Sequence, residues 1–369
     1  MSLTIRQVEL YKLSVPLIEP FTTSLGTEYA AENVLVRIIT EEGIIGFGEC
    51  SPYMPINGES QDTCFAVGQY FAKALIGRNP LNIEENITMM DKIIYGNTSI
   101  KSAFDIAFYD MAAQFAGRPL WQFLGGEKNK TIITDYTVSI GEPAQMAADA
   151  VKIKEQGYPA IKIKLGRDGA TDVERIRAIR AAVGNEIPLR IDANQGWKVN
   201  EAIETLNALQ PFGIQYCEEP IARWKFMKLK KVRKNSPIPI MADESCSDEH
   251  DAERLIELDA CDMFNIKLGK SGGIFKALKI VQEAEKAGIH LQVGAMLESR
   301  IAMTAFAHFS LCHPLIQHFD FDTALMFRED PVTGGIQYLA NGVVEVPDTP
   351  GLGASLSKER LAGMMKVVI

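Results

Sequence analysis

The first third of the chain alternates between apolar and polar residues in the way that antiparallel strands do. The apolar run 33–39 is followed by a second run at 44–49, with a turn at residues 41–43 between them, and this pattern predicts a β-hairpin. Over residues 61–124 the apolar spacing becomes helical. We therefore expect residues 1–127 to form an α+β domain.

Beyond residue 128 the pattern changes to short apolar strands that alternate with amphipathic helices, which demands parallel pairing. Eight such units close into a barrel, over residues 128–333, with the eighth helix missing or small. A second hairpin signal, Asn341-Gly342, lies in the tail 334–369, which we expect to return to the N-terminal domain. The predicted barrel strands are 132–137, 160–164, 188–192, 214–218, 238–243, 263–267, 290–294 and 315–321.

Composition and charge narrow the class of protein. Hydrophobic residues make up 47% of the 369 residues and charged residues 23%, which is typical of a globular protein with a large core. The formal net charge of −9 would repel a phosphate backbone, so we expect no nucleic-acid partner. We find no apolar run of about 18 residues and no signal peptide, so we expect a cytoplasmic protein that does not bind membranes.

Three carboxylates stand at the ends of three consecutive predicted strands: Asp192, Glu218 and Asp243. The carboxyl ends of barrel strands meet at one mouth, where active-site loops lie. Carboxylates gathered there repel one another unless a cation lies between them. Oxygen ligands without His or Cys favour Mg²⁺, with Mn²⁺ as the second choice. A single such residue would more often cap the following helix, but three at matching positions indicate a metal site.

Lysines lie on both sides of these carboxylates. Lys162 and Lys164 share one face of the second strand, and Lys267 ends the sixth strand across the barrel. A lysine acts as a base near neutral pH only when its pKa is lowered, which burial and a second cation both promote. Two lysines opposed across a metal predict that one removes the α-proton of a carboxylate substrate and the other returns a proton to the opposite face. The product is a racemised or epimerised centre, formed through an enediolate that the metal stabilises.

These residues belong to five ordered motifs: Lys162-x-Lys164, Asp192-Ala-Asn194, Glu218-Glu219-Pro220, Ala242-Asp243-Glu244-Ser245 and Asn265-Ile266-Lys267. Over nearly the whole chain, the order resembles the muconate-lactonizing subgroup of the enolase superfamily. The resemblance implies a (β/α)7β TIM-like barrel with an α+β capping domain, and metal binding by the three strand-end carboxylates. It implies that Lys164 and Lys267 are the acid–base pair and that Lys162 neutralises enolate charge. Asn194 and Glu244 would support the metal ligands.

Residues at the end of the eighth predicted strand distinguish between the reactions known in this subgroup. Asp320-Phe321-Asp322 resembles the D-x-D motif of dipeptide epimerases. Carboxylates at i and i+2 face one side and can hold a free α-ammonium group. The pair could instead cap a helix or loop, but its place at a strand end favours a substrate site. We therefore predict a Mg²⁺-dependent epimerase that inverts the α-carbon of the C-terminal residue of an L-Ala-Xaa dipeptide.

Specificity is expected to come from two capping loops, residues 21–26 and 53–59. In the Ala-Glu epimerases that the chain resembles, an arginine in the first loop pairs with the substrate glutamate. Leu25 takes that position here and cannot pair with an acidic side chain, which predicts a preference for an apolar second residue, as in Ala-Val or Ala-Leu. The other candidate substrate-binding residues are Ile56, Met296, Met326 and Glu298.

Two other functions stay open. An N-acylamino acid racemase or o-succinylbenzoate synthase of the same subgroup shares the enolate step, but it would be indifferent to replacement of Asp320 and Asp322 by Asn. A barrel that only binds a small amine or peptide around a structural metal would show no α-proton exchange. Such a protein would gain little from the opposed Lys164 and Lys267. We also expect a homo-oligomer, because barrels of this type commonly associate.

Overall fold

The structure, a computed structural model, describes residues 3–369. Its N-terminal part begins with three antiparallel strands, β1 (Ile5–Thr22), β2 (Thr27–Thr40) and β3 (Ile45–Cys50). Ile39 pairs with Ile45 across the turn, so the predicted hairpin is confirmed. The strands bury the apolar residues of one face against helices that follow in the chain.

Five helices come next in the chain, and the fourth is buried along nearly its whole length. They are α1 (Met54–Asn57), α2 (Gln61–Leu75), α3 (Ile83–Ile93), α4 (Thr98–Phe115) and α5 (Leu120–Phe123). Two glycines of β3 allow α4 to approach the sheet. A Cβ atom at Gly48 would lie 1.9 Å from the carbonyl oxygen of Ala103, and one at Gly46 would lie 2.5 Å from that of Ala107. Strand and helix are therefore closer than a side chain on the strand would permit.

The barrel strands follow a short separate strand, β4 (Ile132–Ile133). They are β5 (Tyr136–Val138), β6 (Ile161–Lys164), β7 (Leu189–Asp192), β8 (Ile214–Glu218), β9 (Ile240–Ala242), β10 (Met263–Ile266), β11 (His290–Val293) and β12 (Ile316–Phe319). All neighbours pair in parallel and in chain order. The two edges meet where the N–H of Asp135 donates to the carbonyl of Phe319, at 3.4 Å.

The helices of the barrel are α6 (Pro143–Glu155), α7 (Gly169–Val183), α8 (Val199–Leu209), α9 (Phe226–Lys234), α10 (Glu249–Glu257), α11 (Leu268–Ser271), α12 (Ile274–Ala287) and α13 (Arg300–Ser310). Seven of them connect consecutive strands, with α11 as an extra turn before α12. After β12 the structure has a 3-10 turn, Thr323–Met326, in place of an eighth helix. The (β/α)7β TIM-like barrel is thus confirmed.

The C-terminal segment reaches both parts of the fold. It contains β13 (Val332–Gly334), β14 (Gln337–Tyr338), β15 (Val343–Glu345), β16 (Ala354–Leu356), α14 (Lys358–Ala362) and β17 (Lys366–Val368). β14 and β15 form the hairpin predicted at Asn341-Gly342, and β15 also pairs with β4. β17 instead pairs antiparallel with β1, with Leu10 opposite Val367. Among residues 3–369, no helix combines the length and the apolar character needed to cross a membrane.

One predicted strand is divided in the structure, whereas the bounds of the other seven agree to within two residues. Residues 132–137 do not form a single barrel strand, because the backbone changes partners in the middle. The N–H of Thr134 donates to the carbonyl of Gly342 at 2.9 Å, whereas the N–H of the next residue, Asp135, donates across the barrel seam. The first half therefore joins the C-terminal hairpin as β4, and only β5 belongs to the barrel.

Two buried carboxyl groups of α4 tie the N-terminal part to the rest of the chain. Asp105 accepts hydrogen bonds from the N–H groups of Ile274 and Phe275, at the start of α12, at 2.5 and 3.3 Å. Asp110 accepts from the N–H groups of Phe47 and Leu352 at 2.9 and 2.8 Å. Burial raises the pKa of Asp105 to about 8 and that of Asp110 to about 6. Both residues have a structural role.

The close approach of β3 and α4 predicts that Gly48→Ala is strongly destabilising. The new methyl group meets backbone atoms of Ala103, which cannot rotate away, so we expect the free energy of unfolding to fall by about 3 kcal/mol. Urea unfolding would measure it. Gly363→Ala is the control, since its nearest neighbour atoms would be 3.7 Å away and the change should stay within about 0.5 kcal/mol. Equal stability of the two variants would contradict the packing argument.

Candidate active site

A cavity lies between the carboxyl ends of the barrel strands and the loops of the N-terminal part. It encloses about 770 Å³ of free space, including its mouth. Lys164 and Lys267 enter it from opposite strands, and apolar residues from both parts of the fold complete the wall. The residues proposed from the sequence that line it are Leu25, Ile56, Lys164, Asn194, Lys267, Met296, Asp320 and Asp322.

The three strand-end carboxylates are close together and fully buried. Asp192 ends β7, Glu218 ends β8, and Asp243 directly follows β9, and each offers an oxygen within 4.8 Å of the others. The lysine Nζ atoms lie against this cluster: that of Lys164 is 2.6 Å from Asp192 Oδ2, and that of Lys267 is 2.7 Å from Asp243 Oδ2. The cluster therefore has a lysine on each side, as the sequence predicted.

The electrostatics of Lys267 differ from the expectation of a lowered pKa. Burial does oppose its charge, but Asp243 and Glu218 outweigh burial and raise the pKa above its ordinary value. A carboxylate in direct contact stabilises the ammonium form of Lys267 more than a neighbouring cation destabilises it, so the contact with Asp243 has the larger effect on the pKa. A metal among the carboxylates would compete for the same negative charge and thereby favour the neutral amine.

Lys162 lies behind the cavity wall, with a fully buried side chain. Its Nζ is 2.9 Å from Glu218 Oε2, 2.7 Å from Asp320 Oδ2 and 3.5 Å from Asp192 Oδ2. Burial opposes its charge, but Asp320 and Glu218 raise its pKa well above the ordinary value. It is a permanent cation that joins the carboxylate cluster to the end of β12.

Asp320 and Asp322 both line the cavity, and their pKa values are shifted in opposite directions. Burial opposes the charge of Asp320, yet Lys162 and Lys164 hold its pKa below the ordinary value. Burial and the neighbouring Asp320 raise the pKa of Asp322 well above its ordinary value. Asp322 Oδ2 accepts from the N–H of Thr137 at 2.7 Å, whereas its Oδ1 is buried without a partner. One oxygen of the pair, Asp322 Oδ1, therefore has no hydrogen-bond donor from the protein.

The residues expected to support the metal ligands lie next to them. The N–H of Asn194 donates to Asp192 Oδ1 at 2.8 Å, and Asn194 itself lines the cavity. Glu219 points away from the cluster, and its Oε2 accepts from the N–H of Asp243 at 2.7 Å. Both side-chain oxygens of Glu244 are buried without a hydrogen-bond partner. Burial and Asp243 raise its pKa well above the ordinary value.

Two proposed substrate-binding residues are not in the cavity wall. Glu298 is buried and folds back onto its own loop, where its Oε2 accepts from the N–H of Met296 at 2.7 Å. Met326 belongs to the 3-10 turn after β12 and faces a separate cavity beside α6. Strand-end position alone could not reveal either outcome, because both depend on how the loops turn.

Sequence reasoning missed other residues of the site. Glu28 and Glu32 line the cavity from alternate positions of β2, a spacing that could have indicated one shared face. Lys270 is buried, with its Nζ 2.5 Å from Asp243 Oδ1. Asn265 donates to Glu218 Oε1 at 2.6 Å. Lys270 carried no usable signal, because its role depends on the short helix α11.

Comparison with known proteins places the chain in a family. Residues 5–125 match the mandelate racemase / muconate lactonizing enzyme N-terminal domain, and residues 145–360 match the enolase C-terminal domain-like family. The chain belongs to the enolase superfamily. The confirmed resemblance covers both parts of the fold, including the capping strands.

Several members of the superfamily are similar over nearly their full length. A D-Ala-D/L-Ala epimerase from Cytophaga hutchinsonii is 58% identical, with 99% of each chain covered. A crystal structure of a dipeptide epimerase from that organism, with Mg and D-Ala-L-Val, has a TM-score of 0.99 at 58% identity and covers 99% of this chain and 100% of that one. A dipeptide epimerase from Enterococcus faecalis with Mg and L-Leu-L-Tyr has a TM-score of 0.92 at 41% identity, covering 95% and 99%.

The residues at the cluster fit the Mg that the Cytophaga and Enterococcus structures contain. Three carboxylates supply hard oxygen ligands at matching strand ends, and no other group of three or more acidic, His or Cys side chains within residues 3–369 is arranged to hold a metal. The unpartnered carboxyl of Glu244 adds to the buried acidic groups around them. Such a concentration of buried carboxyl groups favours the binding of a further cation.

We predict that Mg²⁺ binding strengthens as the pH rises from 6 to 8. Burial and Asp192 raise the pKa of Glu218 to about 7, so protons compete with the metal below that pH. In the metal-free protein a carboxyl with a raised pKa costs stability as the pH rises from about 4.5 to about 7, and bound metal offsets this loss. The Mg²⁺-induced increase in melting temperature should therefore be larger at pH 8 than at pH 6.

Calorimetry in two buffers of different ionisation enthalpy would show whether protons are released on binding. Glu218→Gln is the control, since the amide cannot ionise and weakens the ligand set, so the increase should disappear at both pH values. A wild-type increase that is the same at pH 6 and pH 8 would contradict the assignment of Glu218.

Proposed function

We propose that this chain is a Mg²⁺-dependent dipeptide epimerase that inverts the α-carbon of the C-terminal residue of an Ala-Xaa dipeptide by a two-base 1,1-proton transfer. One observation carries the proposal. Lys164 and Lys267 enter one cavity from opposite sides of a three-carboxylate cluster, and the same cavity holds the Asp320 and Asp322 pair. Dipeptide epimerases are among the most similar relatives.

The two lysines divide the proton transfer between them. A substrate carboxylate above the cluster has its α-carbon between the two Nζ atoms, so one amine removes the proton from one face and the other ammonium donates to the opposite face. Bound Mg²⁺ supplies positive charge that stabilises the negative charge developing on the substrate carboxylate. Lys162 adds a fixed cation behind the cluster. The cavity walls keep water from the carbanion-like centre.

The Asp320 and Asp322 pair explains why the site would bind a substrate with a free amine. A dipeptide bound by its carboxylate at the cluster extends its α-ammonium toward the end of β12, where the unpartnered Oδ1 of Asp322 is available. An ammonium group at this position favours the ionised form of both carboxyl groups, which then hold the substrate by charged hydrogen bonds. An N-acylated amino acid offers no such group.

An apolar second residue suits the part of the wall that the capping loops and the loop after β11 form. Leu25 and Ile56 from the capping loops and Met296 and Leu297 from the loop after β11 line it. The similar Cytophaga and Enterococcus proteins were crystallised with D-Ala-L-Val and L-Leu-L-Tyr, which supports this preference. The sequence favoured an L-alanyl first residue, whereas the Cytophaga relative is named for D-Ala-D/L-Ala, so both configurations belong in the test.

The division of the chain near residue 127 is also a proposal. Residues 1–127 with the tail 334–369 would form the capping domain, and 128–333 the catalytic barrel. The pairing of β17 with β1 and the separate family matches at 5–125 and 145–360 support this division.

Proton NMR in D₂O with Mg²⁺ tests the function directly. Ala-Val, Ala-Leu and Ala-Glu, each with L- and D-alanine, would be compared with an N-succinyl amino acid. We expect loss of the α-proton signal and new diastereomer peaks for the apolar dipeptides, with Ala-Glu slower because Leu25 offers its carboxylate no partner. Exchange confined to the N-succinyl compound would instead identify a racemase, and no exchange at all would leave only a binding function.

Single lysine variants are the controls for this experiment. Lys164→Ala and Lys267→Ala should each lower epimerisation by about 10²–10⁴-fold, since each removes one acid–base group. Each variant should still exchange the α-proton of one diastereomer, because the remaining lysine can return a deuteron to the same face. Retention of exchange in both diastereomers would contradict the two-base assignment.

A second prediction concerns recognition of the free amine. Asp322→Asn keeps the shape and the acceptor for the Thr137 N–H but removes the charge that holds the ammonium. We expect the preference for Ala-Leu over N-acetyl-Ala-Leu, measured as a ratio of kcat/KM, to fall about tenfold to a hundredfold. Asp105→Asn is the matched control, as another buried carboxyl that bonds only to backbone N–H groups, and its ratio should not change. An unchanged ratio in Asp322→Asn would favour the racemase alternative.

A further inference from the structure

Glu49 is a buried carboxylate of the N-terminal sheet that forms its hydrogen bonds with residues close to the cavity. It takes no part in the proton transfer. Glu49 lies on β3 and is 1% exposed. Its Oε1 accepts from the N–H of Ser299 at 2.9 Å, and its Oε2 accepts from the Ser299 hydroxyl at 2.6 Å and the N–H of Ala302 at 3.1 Å. These groups form the start of α13 in the barrel, where a carboxylate is favoured by the exposed N–H groups.

The neighbours of Glu49 connect these hydrogen bonds to the cavity wall. Asn33 Nδ2 donates to Glu49 Oε1 at 2.7 Å and to the carbonyl of Leu297 at 2.8 Å. The hydroxyl of Ser51 accepts from the N–H of Leu297 at 3.2 Å. Capping side chains thus hold both backbone groups of Leu297, whose side chain lines the cavity beside Met296.

We propose that Glu49 is a positioning residue that fixes the loop 295–299 from the capping side, so that Met296 and Leu297 form a rigid wall for the side chain of the second substrate residue. This inference rests on the proposed function and deepens it. It assigns selectivity for large over small apolar residues to a contact between the two parts of the fold, made by a residue that does not touch substrate.

The chemistry of Glu49 makes the proposal testable with a nearly isosteric change. In Glu49→Gln one carboxylate oxygen becomes an NH₂ donor, which faces N–H groups that are themselves donors. The start of α13 then loses an acceptor in a buried place, and the loop should loosen. When Met296 and Leu297 are no longer held in place, the substrate side chain that packs against them should bind more weakly. The lysines and the carboxylate cluster stay in place.

The test compares Ala-Leu with Ala-Ala for wild type, Glu49→Gln and Asp110→Asn, and follows amide hydrogen exchange of residues 295–302. In Glu49→Gln we expect KM for Ala-Leu to rise about tenfold, with a much smaller change for Ala-Ala and in kcat, and faster exchange in that segment. Asp110→Asn is the matched control, since Asp110 is also a buried carboxyl that bonds to backbone N–H groups. It should lower stability without either effect.

The outcomes separate this inference from the proposed function. Unchanged exchange in residues 295–302, or faster exchange without the difference between Ala-Leu and Ala-Ala, overturns it, as does the same KM effect in Asp110→Asn. If the wild type epimerises no dipeptide, the proposed function fails. Faster amide hydrogen exchange of residues 295–302 in Glu49→Gln than in wild type would still show that Glu49 holds the loop. If Glu49→Gln does not fold, Ser299→Ala removes one bond to Glu49 and should produce a smaller shift in the same direction.

Discussion

The repulsion among buried carboxylates at the mouth of the barrel is the constraint on which the site depends. Asp192, Glu218 and Asp243 have ligand oxygens within 4.8 Å of one another and no access to solvent. Positive charge has to be brought to them, and the barrel supplies it on every side through its lysines. The lysines that neutralise the buried carboxylates also lie beside the position that we expect for the α-carbon of a bound substrate.

This charge balance extends beyond the cluster. Lys162 contacts Glu218 and Asp320 together, so the group that compensates the metal ligands also keeps one carboxylate of the amine-binding pair ionised. Burial and the neighbouring Asp320 raise the pKa of Asp322 well above its ordinary value. One buried lysine therefore contacts both the carboxylate cluster and the pair that we propose to hold the substrate amine.

The sequence was sufficient for the features that follow a regular period. Strand ends fall at a regular spacing, so the three carboxylates, the two opposed lysines and the Asp320 and Asp322 pair could all be predicted, and the structure brings them into one place. Features that depend on backbone turns could not be predicted. Glu298 folds back onto its own loop and Met326 faces another cavity. The strand predicted at 132–137 divides because two distant segments compete for its backbone.

The pairing of β1 with β17 has a consequence for how the molecule folds. These strands lie at opposite ends of the described chain, so the contact has a very large sequence separation and is expected to form slowly. β1 also leads into the loop that carries Leu25. During folding we therefore expect β17 to join the edge of this sheet late, after the pairing of β1 with β2, which is local along the chain and brings the Leu25 loop together.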